Sequence, residues 1–489
     1  MSPPGKSMGP DEPFAPPRLV RSSVPWNDVD RAARASIREL EARFPHLRAS
    51  VLVQECDGLT IDKEAAEERI VAGAPFPAEF TGSSFVLSVT NGSTVVEWAS
   101  DDLGLLERGF EELRPELESL PATGMPLEGE PCSADFAVDV QEPLHEVPLQ
   151  RKLERLRADF ERAGQLAPQA QRVVTAYRET QVVELFVSSN RRMRQQLSRV
   201  TRAVYILVPG VGGRLVQARA GRDVQGGFEQ AAIHPYTWRQ LEQALEQVPR
   251  AEPLTPGEYD VIVDGEWAGL IAHEAFGHGS EADMLEKNRA RAVNYLGKTL
   301  GSPLVELRDS AAEPGRSGSF FFDHLGTLAT ATPIIQQGVL SRPISARGSG
   351  EGLGFRPSSN GRRQSPLHKA YVRMTNTDIV PGESRLEDMV AAVKYGFYLR
   401  MPLGGMEDPK GWGIQCQGSV ALEIQDGRFT GRCFGPVILT GYLPELLSSV
   451  RMVGRDFESD GMGYCGKGYK EFVKTTCGGP AMLLRARLG

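Results

Sequence analysis

The 489-residue sequence predicts an α+β protein: an N-terminal α+β domain with a mostly antiparallel sheet, then a mainly antiparallel, barrel-like β domain with a candidate metal-binding helix. Three observations carry this. Stretches of helical period interleave with β-rich runs over the first half. Short alternating apolar runs punctuated by glycine fill the second. Between them AEPLTPGEYD, with two prolines and a glycine, marks a junction near residues 250–258.

The expected organisation is a tail over 1–25, an N-terminal domain over 26–250 and a second domain over 251–489. The tail carries Pro3, Pro4, Pro10, Pro13, Pro16 and Pro17 and too few apolar groups to offset chain entropy, so it is expected to be mobile. From Asp28 to Phe44, Val29, Ala33, Ile37 and Leu40 recur at helical spacing. ASVLVQEC and SSFVLSVTNGSTVVEWAS are β-rich, and the NGS inside the second is a hairpin turn signal. Leu103–Leu120 and VPLQRKLERLRADFERAG return to helical period. ETQVVELFVSSN and RAVYILVPGVGGRLVQARAG are further strands, and TWRQLEQALEQVP is a short helix. In the second half, SGSFFFDHLGT, TPIIQQGVLSRPI and GSVALEIQDGRFTGRCFGPVILTG predict strands and turns.

Composition narrows the function. Hydrophobic residues at 40 %, charged residues at 24 % and a net charge of −8 suit a soluble protein and argue against nucleic acid as partner. No apolar run is long enough to span a bilayer and the start lacks a signal-peptide core, so a cytoplasmic protein with no membrane partner is expected. Six scattered cysteines without a CxxC pair are expected to be reduced.

The stretch HEAFGHGSEAD, residues 273–283, holds the chemistry. His273 and His278 stand five residues apart. At 100° per residue, an ideal helix points them roughly 140° apart. A shared metal therefore requires a local distortion over Ala275–Gly279, which Gly277 and Gly279 would permit. Neutral imidazoles are good zinc ligands and Glu274 could accept a proton from water, yet the same residues could be a polar helix face. Glu281, Asp283 or a distant cysteine could complete a ligand set.

HEAFGHGSEAD resembles the signature of the TldD/PmbA family of metallopeptidases, specifically its metal-bearing TldD branch. NGRRQS (360–365), RMTNT (373–377), YGFYL…GG (395–405) and MGYCGKG (462–468) resemble further family motifs in the same order. The resemblance covers about 230 residues of the second half and only loosely the first. It implies an α+β domain followed by a β domain carrying zinc (Zn2+), with His273, His278 and Cys465 as ligands. It further implies hydrolysis of short or unfolded peptides, with Glu274 taking a proton from the water that the metal activates.

The resemblance also places Arg362, Arg363, Arg373 and Asn376 as candidate substrate contacts, although Thr375 and Asn376 could instead brace backbone. Glu281, one turn past His278, could orient that ring or be a surface carboxylate. A dimer is implied, either of identical chains or with a metal-free TldE/PmbA-like homologue. The alternative is a non-catalytic peptide-binding or scaffold subunit of such a complex. The sequence departs from the family at Asp323-His324-Leu325, where an acidic run is usual, and in TTCGGP, where Cys477 is a rival thiol.

Overall fold

In the computed structural model, residues 22–73, 81–122, 129–459, 461–467 and 470–489 are described. Residues 1–21 of the expected tail lie outside them, whereas Ser23 already donates its N–H to Glu55 at 3.1 Å. The chain is mixed α+β, built on two large sheets.

The first sheet has eight strands drawn from residues 48–225. Its centre is three long strands, Arg48–Glu64, Arg172–Ser188 and Arg191–Pro209, paired antiparallel. Their apolar residues alternate toward the helix Trp26–Arg43, whose Ala33, Ile37 and Leu40 pack on Val51, Val53, Phe85 and Leu87. The predicted hairpin is present: Gly82–Thr90 pairs with Val95–Ser100, and the Asn91 side chain accepts N–H bonds from Ser93 and Thr94. Strand Cys132–Ala137 runs parallel to its neighbour, an exception to the antiparallel rule.

Leu103–Leu120 does not form one helix. It breaks into Leu103–Leu105, Gly109–Glu112 and Arg114–Ser119. Gly109 and Pro115 interrupt the run, and local breakers outweigh an apolar period that short.

The second sheet has eleven strands, from Gly257–Val263 to Thr476–Leu488. Its pairing returns on itself, because Thr476–Leu488 pairs with Gly257–Val263 as well as with Val437–Tyr442. Most pairs are antiparallel, as expected; Gly257–Val263 beside Tyr395–Glu407 and Asn376–Ile379 beside Thr476–Leu488 are parallel. SGSFFFDHLGT forms no strand beyond isolated bridges. Side chains replace the ladder there: Gln195 Oε1 accepts from the N–H of Phe321 and Phe322, and Asp323 accepts from those of Leu325, Thr327 and Gly361.

One helix matters most for function. Gly265–Ala272 is capped by Asp264, whose Oδ1 accepts from the Trp267 N–H at 2.9 Å. Gly265 and Gly269 lie one turn apart and face the final strand at Gly478 and Gly479. A Cβ at Gly269 would come within 2.3 Å of the Gly478 backbone nitrogen, so only glycine admits this approach. TTCGGP thereby finds its role as the seat of this helix. We expect Gly269→Ala to lower stability by about 2 kcal/mol or more, since backbone on both sides prevents relief; urea unfolding measures it.

Candidate metal centre

The helix Gly265–Ala272 runs straight into HEAFGHG, where its geometry changes. His273–Gly277 is a π turn, and the N–H of His278 donates to the carbonyl of His273, five residues back. A 3-10 turn, His278–Ser280, follows. The wider turn closes on the spacing that separates the two histidines and brings their ring centroids to 5.3 Å at 87°. The motif is thus not part of one long helix: α, π and 3-10 segments succeed one another before the short helix Ala282–Glu286.

The hairpin Tyr464–Lys467 and Lys470–Lys474 delivers Cys465 to the same place. Its Sγ lies 3.2 Å from His278 Nε2, and one ligand atom from each of His273, His278 and Cys465 falls within 4.8 Å of the others. Around a tetrahedral zinc, with sulfur at about 2.3 Å and nitrogen at about 2.0–2.1 Å, such atoms sit roughly 3.3–3.6 Å apart. The Cys465–His278 pair is close to that spacing, and two imidazoles with a thiol are a donor set that suits the metal. His273 and Cys465 are buried, and burial holds the His273 imidazole toward its neutral form. Cys477 sits in the final strand, outside this group.

Glu274 is also buried, and burial raises its carboxyl above the usual range while His273 pulls the other way. It packs on Gly405 of the strand Tyr395–Glu407, where a Cβ would lie 2.9 Å from Glu274 Cγ. Beside it the Cys416 thiol is pushed up by burial and then by the Glu274 charge.

A set of charges surrounds these three side chains. Glu281 Oε1 lies 3.8 Å from His278 Nδ1 and 3.3 Å from Arg373 Nε, and its Oε2 takes a 2.9 Å bond from Lys467. Burial opposes its ionisation, yet Lys467, His278 and Arg373 together hold its carboxyl below the usual range. Arg373 donates to the carbonyl of Cys465 at 2.9 Å and to that of Glu471 at 2.8 Å. It is 1 % exposed, so this structure gives it the task of fixing the Cys465 hairpin against Glu281.

The other candidates are placed as follows. Asn376 is fully buried and donates to the Ser310 carbonyl at 2.5 Å and to Ser319 Oγ at 2.8 Å. Asp309 gathers Thr375, Thr377 and Asn360 at 2.7–2.8 Å, which ties RMTNT to NGRRQS. Asn376 therefore braces backbone. Arg362 donates to the carbonyls of Met374 and Lys474, and Arg363 pairs with Glu97 of the first sheet. Arg362 does line a cavity of about 40 Å³ between the two sheets, with Arg363, His324, Glu184 and Lys474. Burial, and then its arginine neighbours, push the Arg362 guanidinium down to about 10. His324 bridges the halves, its Nε2 3.0 Å from Glu184 and its Nδ1 accepting from the Arg363 N–H.

Asp309, Lys467 and Glu407 were not singled out in the sequence. Only Lys467, inside CGK, lay within a motif that could have flagged it.

Residues 256–487 match the family model described as the PmbA/TldA metallopeptidase C-terminal domain. The C-terminal half of this chain belongs to the PmbA/TldD family. Its relatives are named metalloproteases. One from Synechocystis is 34 % identical over 243 residues, 48 % of this chain and 50 % of that protein. A zinc metalloprotease TldD homologue from Saccharolobus solfataricus is 29 % identical over 226 residues, 46 % of this chain and 49 % of the relative. This chain thus spans about half the length of the curated relatives it matches.

The likeness in fold extends beyond this half of the chain. A Thermotoga maritima structure, described as a proposed modulator of a DNA gyrase, superposes with a TM-score of 0.75 at 14 % identity, covering 94 % of this chain and 100 % of that one. TldE from Thermococcus kodakarensis gives 0.69 at 14 % identity, again covering 94 % and 100 %. At that identity the likeness is one of fold. No helix among the described residues is long and apolar enough to cross a membrane.

Proposed function

We propose that this chain is a zinc-dependent peptidase of the metal-bearing TldD branch, acting on short or unfolded peptides. The observation that carries it is the convergence of His273, His278 and Cys465 from segments 187 residues apart, with Glu274 beside them. The donor set is right for zinc, and a relative with the same domain is named a zinc metalloprotease.

When bound, zinc would supply Lewis acidity, polarising a peptide carbonyl and lowering the pKa of water. The protein does the rest. His273 and His278 would offer ring nitrogens and Cys465 its sulfur, with Glu281 Oε1 3.8 Å from the Nδ1 side of the His278 ring. Glu274, raised by burial, takes a proton from the attacking water and returns it to the leaving amine. The strand Tyr395–Glu407 has a parallel partner only along Gly396–Leu399, which leaves the edge beyond, next to Glu274, for an extended peptide to join. Such a strand must be unfolded before it can add. Two chains would enclose the site, either identical ones or this chain with a metal-free TldE-like homologue.

The test combines metal analysis with cleavage of an unstructured peptide. Purified chain should hold close to one zinc; a chelator should abolish cleavage, and added zinc should restore it. Zinc retained without cleavage, with or without a TldE-like partner, would favour the scaffold reading.

A further inference from the structure

Arg202 is a buried cation of the first sheet, in a part of the chain that the family match at 256–487 does not reach. Leu197 and Arg199 of the same strand line the cavity between the sheets, and side chains alternate along a strand. Arg202 therefore faces the other way, with Val200 and Val204, toward the helices Leu149–Leu166 and Pro235–Gln247. It is 2 % exposed. Its Nη2 donates to Asp159 Oδ2 at 2.6 Å, and its guanidinium lies 5.4 Å from the centre of the Tyr177 ring. Nε and Nη1 are shielded from solvent and have no acceptor among the described residues. A buried charged donor left unbonded is costly to keep.

The surroundings say which ligand would relieve it. Burial raises the Asp159 carboxyl, while Arg202, Arg155 and Arg162 all pull it down, so one acid answers three arginines. A fourth, Arg222 of the strand Leu215–Gln225, stands directly opposite Arg202, a pairing of like charges that destabilises a sheet. Arg202 and Arg222 line one recess with Gln230, His234 and Thr237, and no carboxylate among the described residues shares that lining. The 13-residue helix Pro235–Gln247 begins there, with the positive end of its dipole at the recess. His234 caps it through Nδ1, which accepts from the Tyr236 N–H at 3.2 Å, so the ring carries its proton on Nε2. The inner volume is about 10 Å³, room for one oxygen-sized group, and Arg222 and His234 are both exposed on its solvent side. Donors from a strand and from a helix end suit a tetrahedral oxyanion, and two guanidinium groups suit a doubly charged one.

We propose that this recess binds a phosphoryl group, as free phosphate or as a small phosphomonoester, with one oxygen against Arg202 and the others toward Arg222, His234 and the first turn of the helix. Binding neutralises the crowded arginines and ties the strand Leu215–Gln225 to the helix Pro235–Gln247. The site stands on the face of the first sheet turned away from the second, and it does not depend on the peptidase reading. Because Arg222 is exposed, Arg222→Ala should fold as wild type does.

The measurement is equilibrium dialysis of labelled inorganic phosphate against the full chain, at an ionic strength fixed with chloride. It is run on zinc-loaded and on chelated protein, because zinc itself takes phosphate oxygens. Both forms should bind about one phosphate per chain with a dissociation constant below about 1 mM. Arg222→Ala should weaken binding about tenfold, the loss of one charge-assisted contact. Arg202→Met/Asp159→Asn removes the buried pair together, so that neither charge is stranded, and should abolish binding. If that double variant does not fold, Arg222→Ala and Arg222→Glu decide the matter, with Arg222→Glu expected to bind no phosphate. No saturable binding, binding only when zinc is present, wild-type affinity in any of these variants, or displacement by acetate as readily as by phosphate would overturn the proposal. Glycerol phosphate separates the two sources: competition about tenfold stronger than that of phosphate assigns the site to a phosphomonoester, and equal or weaker competition assigns it to free phosphate.

Discussion

Glu274→Gln should lower cleavage of an unstructured peptide by about 10³-fold while zinc content stays at the wild-type level. Glutamine preserves the volume against Gly405 and removes only the ability to take a proton. No ligand is touched, because the three gathered donors are His273, His278 and Cys465. The change should fall on kcat, with KM nearly constant, since Glu274 acts on water more than on bound peptide. Single-turnover cleavage and zinc measured on the same preparation decide it. Wild-type rates in Glu274→Gln would remove this residue from the chemistry.

Cys465→Ser should lose most of its zinc and, with it, cleavage. A cysteine thiol loses its proton readily on zinc and becomes a soft thiolate donor, and a serine hydroxyl does neither. Zinc that binds the folded chain also stabilises it, by about 4 kcal/mol when present at roughly 1,000 times its dissociation constant. The variant should therefore melt below the zinc-loaded wild type and close to the chelated one. Cys477→Ser is the control, because Cys477 lies outside the His–His–Cys group and should leave zinc unchanged. If Cys477→Ser loses zinc and Cys465→Ser keeps it, the ligand assignment is wrong.

Much of this centre was legible in the chain, for reasons particular residues make plain. The five-residue interval from His273 to His278 cannot serve one metal from an ideal helix, and the π turn at His273–Gly277 is the distortion it required. The hairpin at NGST was legible because Asn91 builds the turn with its own side chain. Where a side chain from far away does that work, legibility failed. SGSFFFDHLGT alternates like a strand, yet the N–H groups of Phe321 and Phe322 are taken by the side chain of Gln195, 126 and 127 residues away in sequence. Arg373 was read only as a candidate cleft residue, and it is buried and bonded to the carbonyl of Cys465; Asn376, for which the sequence also allowed a backbone-bracing role, is buried and bonded to the Ser310 carbonyl.

By itself the sequence determined which candidate donors the chain carries, the period of most elements and the turns that local side chains enforce, because these depend on residue type and on neighbours a few residues away. The tertiary structure alone decided that Cys465 meets His278, that Arg373 clamps its hairpin and that Glu407 is left among like charges. The reason is electrostatic and steric. Whether a buried charge finds a partner depends on which strands and helices pack together, and no local pattern encodes that.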